Sequence, residues 1–157
     1  MKNPYREWAD LICFALQQDD DWRNSSQIRH GLAEHIRKIH DVILPKRSIE
    51  RTVSQEAFKI LIPNGKRYKK PKRNSIRYEH VVPIKDIIAC CLKLPRDTTN
   101  DQVIKLVTAL SCVALITVEE SKRLPSSMPP DWDGKDLYIR FKQVGLFEQL
   151  IFQNTRQ

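Results

Sequence analysis

The sequence predicts a mainly α fold with a small β element, built as a single domain over residues 1–157. Apolar residues recur at helical spacing through most of the chain, and only two short stretches, residues 75–81 and 112–116, are strand-like. A chain of 157 residues, 41% hydrophobic and 29% charged, suits one ordinary globular domain. At this size roughly two thirds of the unfolded surface can be buried, so no disulfide or metal staple is required.

Residues 5–18 form the first expected helix, with Trp8, Leu11, Ile12, Ala15 and Leu16 in an i, i+3, i+4 pattern. Asp19, Asp20 and Asp21 interrupt it. Ser25 or Ser26 can cap a second helix over 26–43, which carries Ile28, Leu32, Ile36, Ile39 and Ile43 on one side and ends at Pro45. A third helix is expected near 48–61, with start signals at Thr52, Ser54 and Gln55. Pro63-Asn64-Gly65 is a turn. The segment that follows, KRYKKPKRN, has no apolar periodicity and is expected as a loop or edge ribbon.

SIRYEHVVP is β-rich and bounded by Pro83, which suits the first turn of a helix running to Leu94. Thr99 with Gln102 forms a capping box for a helix over 100–110. CVALIT is a short apolar strand, expected to pair with 75–81. Thr117 with Glu120 forms a second capping box and opens a helix to Leu124. A structured loop, LPSSMPPDWDG, leads to a last helix, DLYIRFKQVGL, with Gly145 as its C-terminal cap. Four regions follow from this pass: a helical part at 1–62, a basic segment at 63–77, a central part at 78–124, and a loop and helix at 125–157.

Net charge is +8 and is unevenly placed. Residues 46–77 hold eleven Lys or Arg against Glu50 and Glu56, a local net of +9, which leaves −1 for the rest of the chain. Positive charge focused in this way steers a polyanion, and DNA or RNA is the expected partner. Lys66, Arg67, Lys69, Lys70, Lys72, Arg73 and Arg77 are the candidate nucleic-acid-binding residues. The plainer alternative is a solvated loop that aids solubility.

Cys13, Cys90, Cys91 and Cys112 form no C-x-x-C pair and each lies in an apolar stretch, as buried reduced thiols do. No apolar run reaches the length that spans a bilayer, and the N-terminus lacks a signal-peptide core, so a cytoplasmic protein without a membrane partner is expected. There is no G-x-S-x-G, Walker loop or G-x-G-x-x-G, and with only four glycines a nucleotide cofactor is not indicated.

His30, His35 and His40 recur every five residues, but each step rotates a helix by about 500°, a net of about 140°. They cannot share one helix face, which argues against a three-histidine metal site. His80 differs: it follows Glu79 at the end of a strand-like stretch close to the basic segment. A carboxylate-held divalent cation can polarise a phosphodiester while a neighbouring imidazole deprotonates water. The plainer alternative is a half-exposed strand histidine beside a surface glutamate.

Arg77-Tyr78-Glu79-His80-Val81-Val82-Pro83 resembles the first motif of HNH-type, ββα-metal nucleases. The resemblance extends over residues 75–124, with the motif itself confined to the first part. It implies that His80 activates the nucleophile, that Glu79 helps to bind a divalent metal (Mg2+, Mn2+ or Zn2+), and that Glu119 or Glu120, at the start of a helix after CVALIT, completes the ligand set. The implied activity is metal-dependent endonucleolytic hydrolysis. The chain departs from the family in having no histidine after His80 and no clear central asparagine. The alternatives are a non-enzymatic DNA- or RNA-binding module, and an inhibitor or interaction domain whose basic face meets an acidic partner protein. Trp132, between Asp131 and Asp133, can cover the Glu79–His80 region, stack a base, or anchor the last helix.

Overall fold

The structure is a computed structural model that describes residues 4–43, 52–62 and 75–152. Pro45, the turn at Pro63-Asn64-Gly65 and the basic residues Lys66, Arg67, Lys69, Lys70, Lys72 and Arg73 lie outside the described residues. The elements are α1 (Pro4–Gln17), α2 (Asp20–Asn24), α3 (Ser26–Ile43), β1 (Thr52–Ser54), α4 (Gln55–Leu61), β2 (Ile76–His80), α5 (Ile84–Leu92), α6 (Asn100–Leu110), β3 (Val113–Thr117), α7 (Val118–Arg123), α8 (Ile139–Gln143) and β4 (Leu150–Ile151). The fold is mainly α with a small mixed sheet, as the sequence predicts. Among the described residues, no helix is long and apolar enough to cross a membrane.

The chain divides into two compact units that interleave in sequence: Met1–Lys46 with Pro83–Ser111, and Arg47–Val82 with Cys112–Gln157. The central region 78–124 is therefore shared, its strands belonging to the second unit and its helices α5 and α6 to the first.

The first unit is all helical. Ile12, Cys13 and Leu16 of α1, Leu32 and Ile36 of α3, Ile87 and Cys91 of α5, and Val103 and Val107 of α6 are buried. The buried face of α1 runs through Ala9, Ile12, Cys13 and Leu16, a 3.6-residue stripe. Leu11, expected inside, is 45% exposed because it falls to one side of that stripe. The Asp19–Asp21 run does end α1, but it also opens α2, whose N-terminal dipole favours the Asp20 and Asp21 carboxylates. Ser25 accepts a 3.3 Å hydrogen bond from the Ile28 amide and so caps α3. At α6, Thr99 and Gln102 form the expected capping box.

The second unit is built on a four-stranded sheet in the order β2-β3-β1-β4. β2 and β3 pair antiparallel, from Ile76 opposite Thr117 to His80 opposite Val113, which is the pairing expected from the sequence. β1 lies parallel to β3, and β4 antiparallel to β1. Neither β1 nor β4 is visible in the apolar pattern. The helix expected from 48 starts only at Gln55, because Thr52 and Val53 serve the sheet instead. Val53 is buried between Leu115 and Ile151, a place that suits a β-branched side chain.

Each face of the sheet has its own core. Val53 and Leu115 pack with Ala57 and Leu61 of α4, and Ile76 borders this group. Val81, Ala114, Ile116 and Leu150 pack on the other face with Phe141 of α8 and Leu146. The expected last helix is shorter than its sequence pattern. Gly145, at φ +64°, stops α8: its amide donates to Lys142 O and the Leu146 amide returns to Phe141 O at 2.9 Å, a Schellman closure.

Candidate functional site

β2 carries the residues singled out by the sequence, and its pleat separates them. Successive side chains on a strand point to opposite faces of the sheet. Glu79 points to the α7–α8 face: its Oε2 accepts a 3.0 Å hydrogen bond from Ser121 Oγ, and its Oε1 lies 3.5 Å from Arg140 Nη2. Arg77, two residues earlier and on the same face, approaches Ser121 Oγ at 3.5 Å. His80, the adjacent residue, is sent to the opposite face and is half-buried.

Arg140 explains why Glu79 is there. Its side chain is buried at 2% exposure. It donates to His80 O at 2.6 Å, to Val81 O at 3.2 Å and to Pro125 O. A buried guanidinium needs hydrogen-bond acceptors and a counter-charge. The carbonyls at the end of β2 supply the first and the Glu79 carboxylate the second. Sequence reasoning missed Arg140. Its position within Leu-Tyr-Ile-Arg-Phe gives no sign that it turns inward, since an arginine among apolar residues on a short helix is usually solvated.

The two glutamates of α7 have different duties. Glu119 is exposed and pairs with Lys122 at 2.7 Å. Glu120 is buried, and its Oε2 accepts from the Thr117 amide and from Ser54 Oγ, each at 2.7 Å. Ser54 Oγ in turn accepts from the Ala57 amide at 3.1 Å and caps α4. One carboxylate oxygen thus ties together the helix starts that follow the parallel strands β1 and β3. Among the described residues, the other oxygen, Glu120 Oε1, is buried without a hydrogen-bond partner.

Glu79, His80, Glu119 and Glu120 therefore do not converge as a ligand set. Glu79 is committed to Arg140 and Ser121, Glu120 to the caps, Glu119 to a surface pair, and His80 lies across the sheet from Glu79. No group of three or more His, Cys, Asp or Glu suited to a metal ion occurs among the described residues. The arrangement of these residues does not fit the divalent metal that the nuclease resemblance implies.

Trp132 anchors its own loop. The indole N–H donates to Asp136 O at 3.0 Å and the Trp132 amide to Pro129 O, which folds the segment onto the start of the last helical turn. The histidines of α3 behave as their spacing predicts: His30 is exposed and His35 half-buried. Burial pushes the His35 imidazole below its ordinary pKa, outweighing the opposite pull of Glu34. The four cysteines are free. Burial raises the thiol pKa of Cys90 and takes that of Cys91 up to about 12, far from a reactive thiolate.

The electrostatics single out one part of the second unit. Residues 47–82 carry ten Lys or Arg against three acidic residues. Within the described part, Lys59 is paired with Glu56, while Arg77 is exposed on β2, at the edge of the sheet. Comparison of the chain with protein-family models, with curated proteins and with solved structures returned no match.

Proposed function

We propose that this protein binds nucleic acid without cleaving it, the basic segment at 46–77 supplying the affinity through contacts with backbone phosphates. The observation that carries this reading is the charge distribution: a net of +9 in residues 46–77 against −1 in the rest of the chain. Phosphate neutralisation by Lys and Arg, with release of condensed counterions, supplies most non-specific nucleic-acid affinity and requires no further chemistry. Arg77 extends the basic segment onto a strand held in register by β3, so part of the charge has a fixed platform.

The engagements of Glu79, Glu119 and Glu120 favour binding over hydrolysis. Each has a structural or surface partner already, and the imidazole of His80 is on the other side of the sheet from Glu79.

The test measures binding and cleavage side by side, on DNA and RNA oligonucleotides with Mg2+ or Mn2+, for the wild type and for His80→Ala. Expected is tight binding by both proteins at low salt with no cleavage by either. Metal-dependent cleavage lost on His80→Ala, by a factor of order 10²–10⁴ with binding retained, replaces this reading with the nuclease one. No binding to either polymer by the wild type overturns both.

A further inference from the structure

We propose that Tyr78 is a base-stacking residue, which makes single-stranded nucleic acid the preferred partner. The inference rests on the nucleic-acid-binding reading above and gives it a substrate class. Tyr78 is 54% exposed, at the centre of β2, with Arg77 exposed beside it. β2 is an edge strand, so the ring is approachable from the side as well as from above.

The ring stands on a fixed base. Tyr78 is paired in register with Leu115, and Ile76, two residues away on the same face, packs against the group formed by Val53, Ala57, Leu61 and Leu115. An aromatic held on a rigid strand loses little further entropy when a base lands on it. Large exposed side chains elsewhere lack this setting. Phe14 and Leu11 are on α1 in the first unit, Ile60 is aliphatic, and Phe152 lies 5.5 Å from Tyr138 and 5.7 Å from Phe147, ring centre to ring centre.

Charge and ring together fit one ligand chemistry. Cations at 46–77 track a phosphate backbone, and an exposed phenol presents an apolar face to a base. In a duplex the base faces are already stacked on one another and are closed to a side chain. In a single strand they are open, and every base has a face to offer, so the site is sequence-tolerant. Stacking and phosphate contacts also differ in their response to salt: only the second releases counterions.

The experiment is fluorescence anisotropy with labelled oligo(dT), oligo(U) and a DNA duplex, using wild type, Tyr78→Ala and Tyr78→Phe across a salt series. Expected is a loss of roughly ten- to a hundredfold for Tyr78→Ala on the single strands, near-wild-type binding for Tyr78→Phe, an unchanged salt slope and little change on the duplex. The two single-stranded arms separate DNA from RNA as the source of the base. Photocrosslinking of wild type to an iodouridine oligonucleotide, with the crosslink mapped by mass spectrometry, needs no variant and is expected at Tyr78. Single-strand binding that Tyr78→Ala leaves intact, or a crosslink that maps away from β2, overturns the stacking role while phosphate binding stands. Absence of binding to all three ligands overturns the underlying function as well.

Discussion

At the scale of single residues, Arg140 is the side chain on which the end of β2 depends. Three backbone carbonyls and one carboxylate converge on it in the interior of the second unit. Replacing it by Met keeps the bulk and strands those acceptors. Arg140→Met is expected to cost about 3–5 kcal/mol in urea unfolding, as removal of one partner of a buried pair does. Glu79→Gln keeps a hydrogen-bond acceptor and loses the counter-charge, so a smaller loss, about 1–3 kcal/mol, is expected. Little of this was legible beforehand. Glu79 and His80 stand out in the sequence because they are adjacent, yet adjacency on a strand is what sends them apart. The capping glutamate, Glu120, was legible through its spacing from Thr117, whereas its bond to Ser54 joins residues 66 apart in sequence.

His35 gives a residue-scale prediction in pH. Its folded pKa lies below the ordinary 6.5, mainly through burial. The unfolded chain therefore binds the proton first as pH falls. The stabilising contribution is complete above about 6.5 and is lost as pH drops from there towards the folded value. Thermal unfolding followed at pH 7.5 and at pH 5.5 should show a drop in midpoint for wild type that is smaller for His35→Gln. An equal drop in both would place the titration elsewhere.

At the scale of elements, the starts and stops were the most legible features, because capping is local. The boxes at Thr99–Gln102 and Thr117–Glu120, the Ser25 cap and the Gly145 stop all sit where the sequence pattern puts them. Thr99→Ala and Thr117→Ala should each cost about 1 kcal/mol. Gly145→Ala should cost about 1–2 kcal/mol, since φ +64° strains any Cβ even where space is open. Ser54→Ala and Glu120→Gln should be non-additive in a double-mutant cycle, because both break the same 2.7 Å bond. Additive losses would show the two caps to be energetically separate. β1 and β4 were not legible for the converse reason. Strands of three and two residues carry no periodicity of their own, and they exist only because β3 and each other provide ladders.

At the scale of the whole molecule, two compact units divide the labour unevenly. The first, α1–α3 with α5 and α6, is a helical core with balanced charge. The second holds the sheet and nearly all the excess positive charge, concentrated before and within β2. The split explains why the nuclease-like region of the sequence is not a module: the chain leaves the sheet after Val82, builds α5 and α6 in the first unit, and returns at Cys112. Mean composition and charge focusing were readable from sequence alone. The interleaving was not, because it depends on a parallel pairing between β1 and β3 across some sixty residues.

Phosphate binding through the basic segment is tested most directly by the salt dependence of nucleic-acid affinity, measured by anisotropy between 50 and 200 mM salt. With about six cations on phosphates, wild-type affinity should fall roughly 10³-fold across that range. Replacing Lys69, Lys70 and Lys72 together by Ala should roughly halve the logarithmic slope and leave circular dichroism unchanged. The same slope and the same affinity after the triple substitution would contradict a phosphate-binding role for the segment.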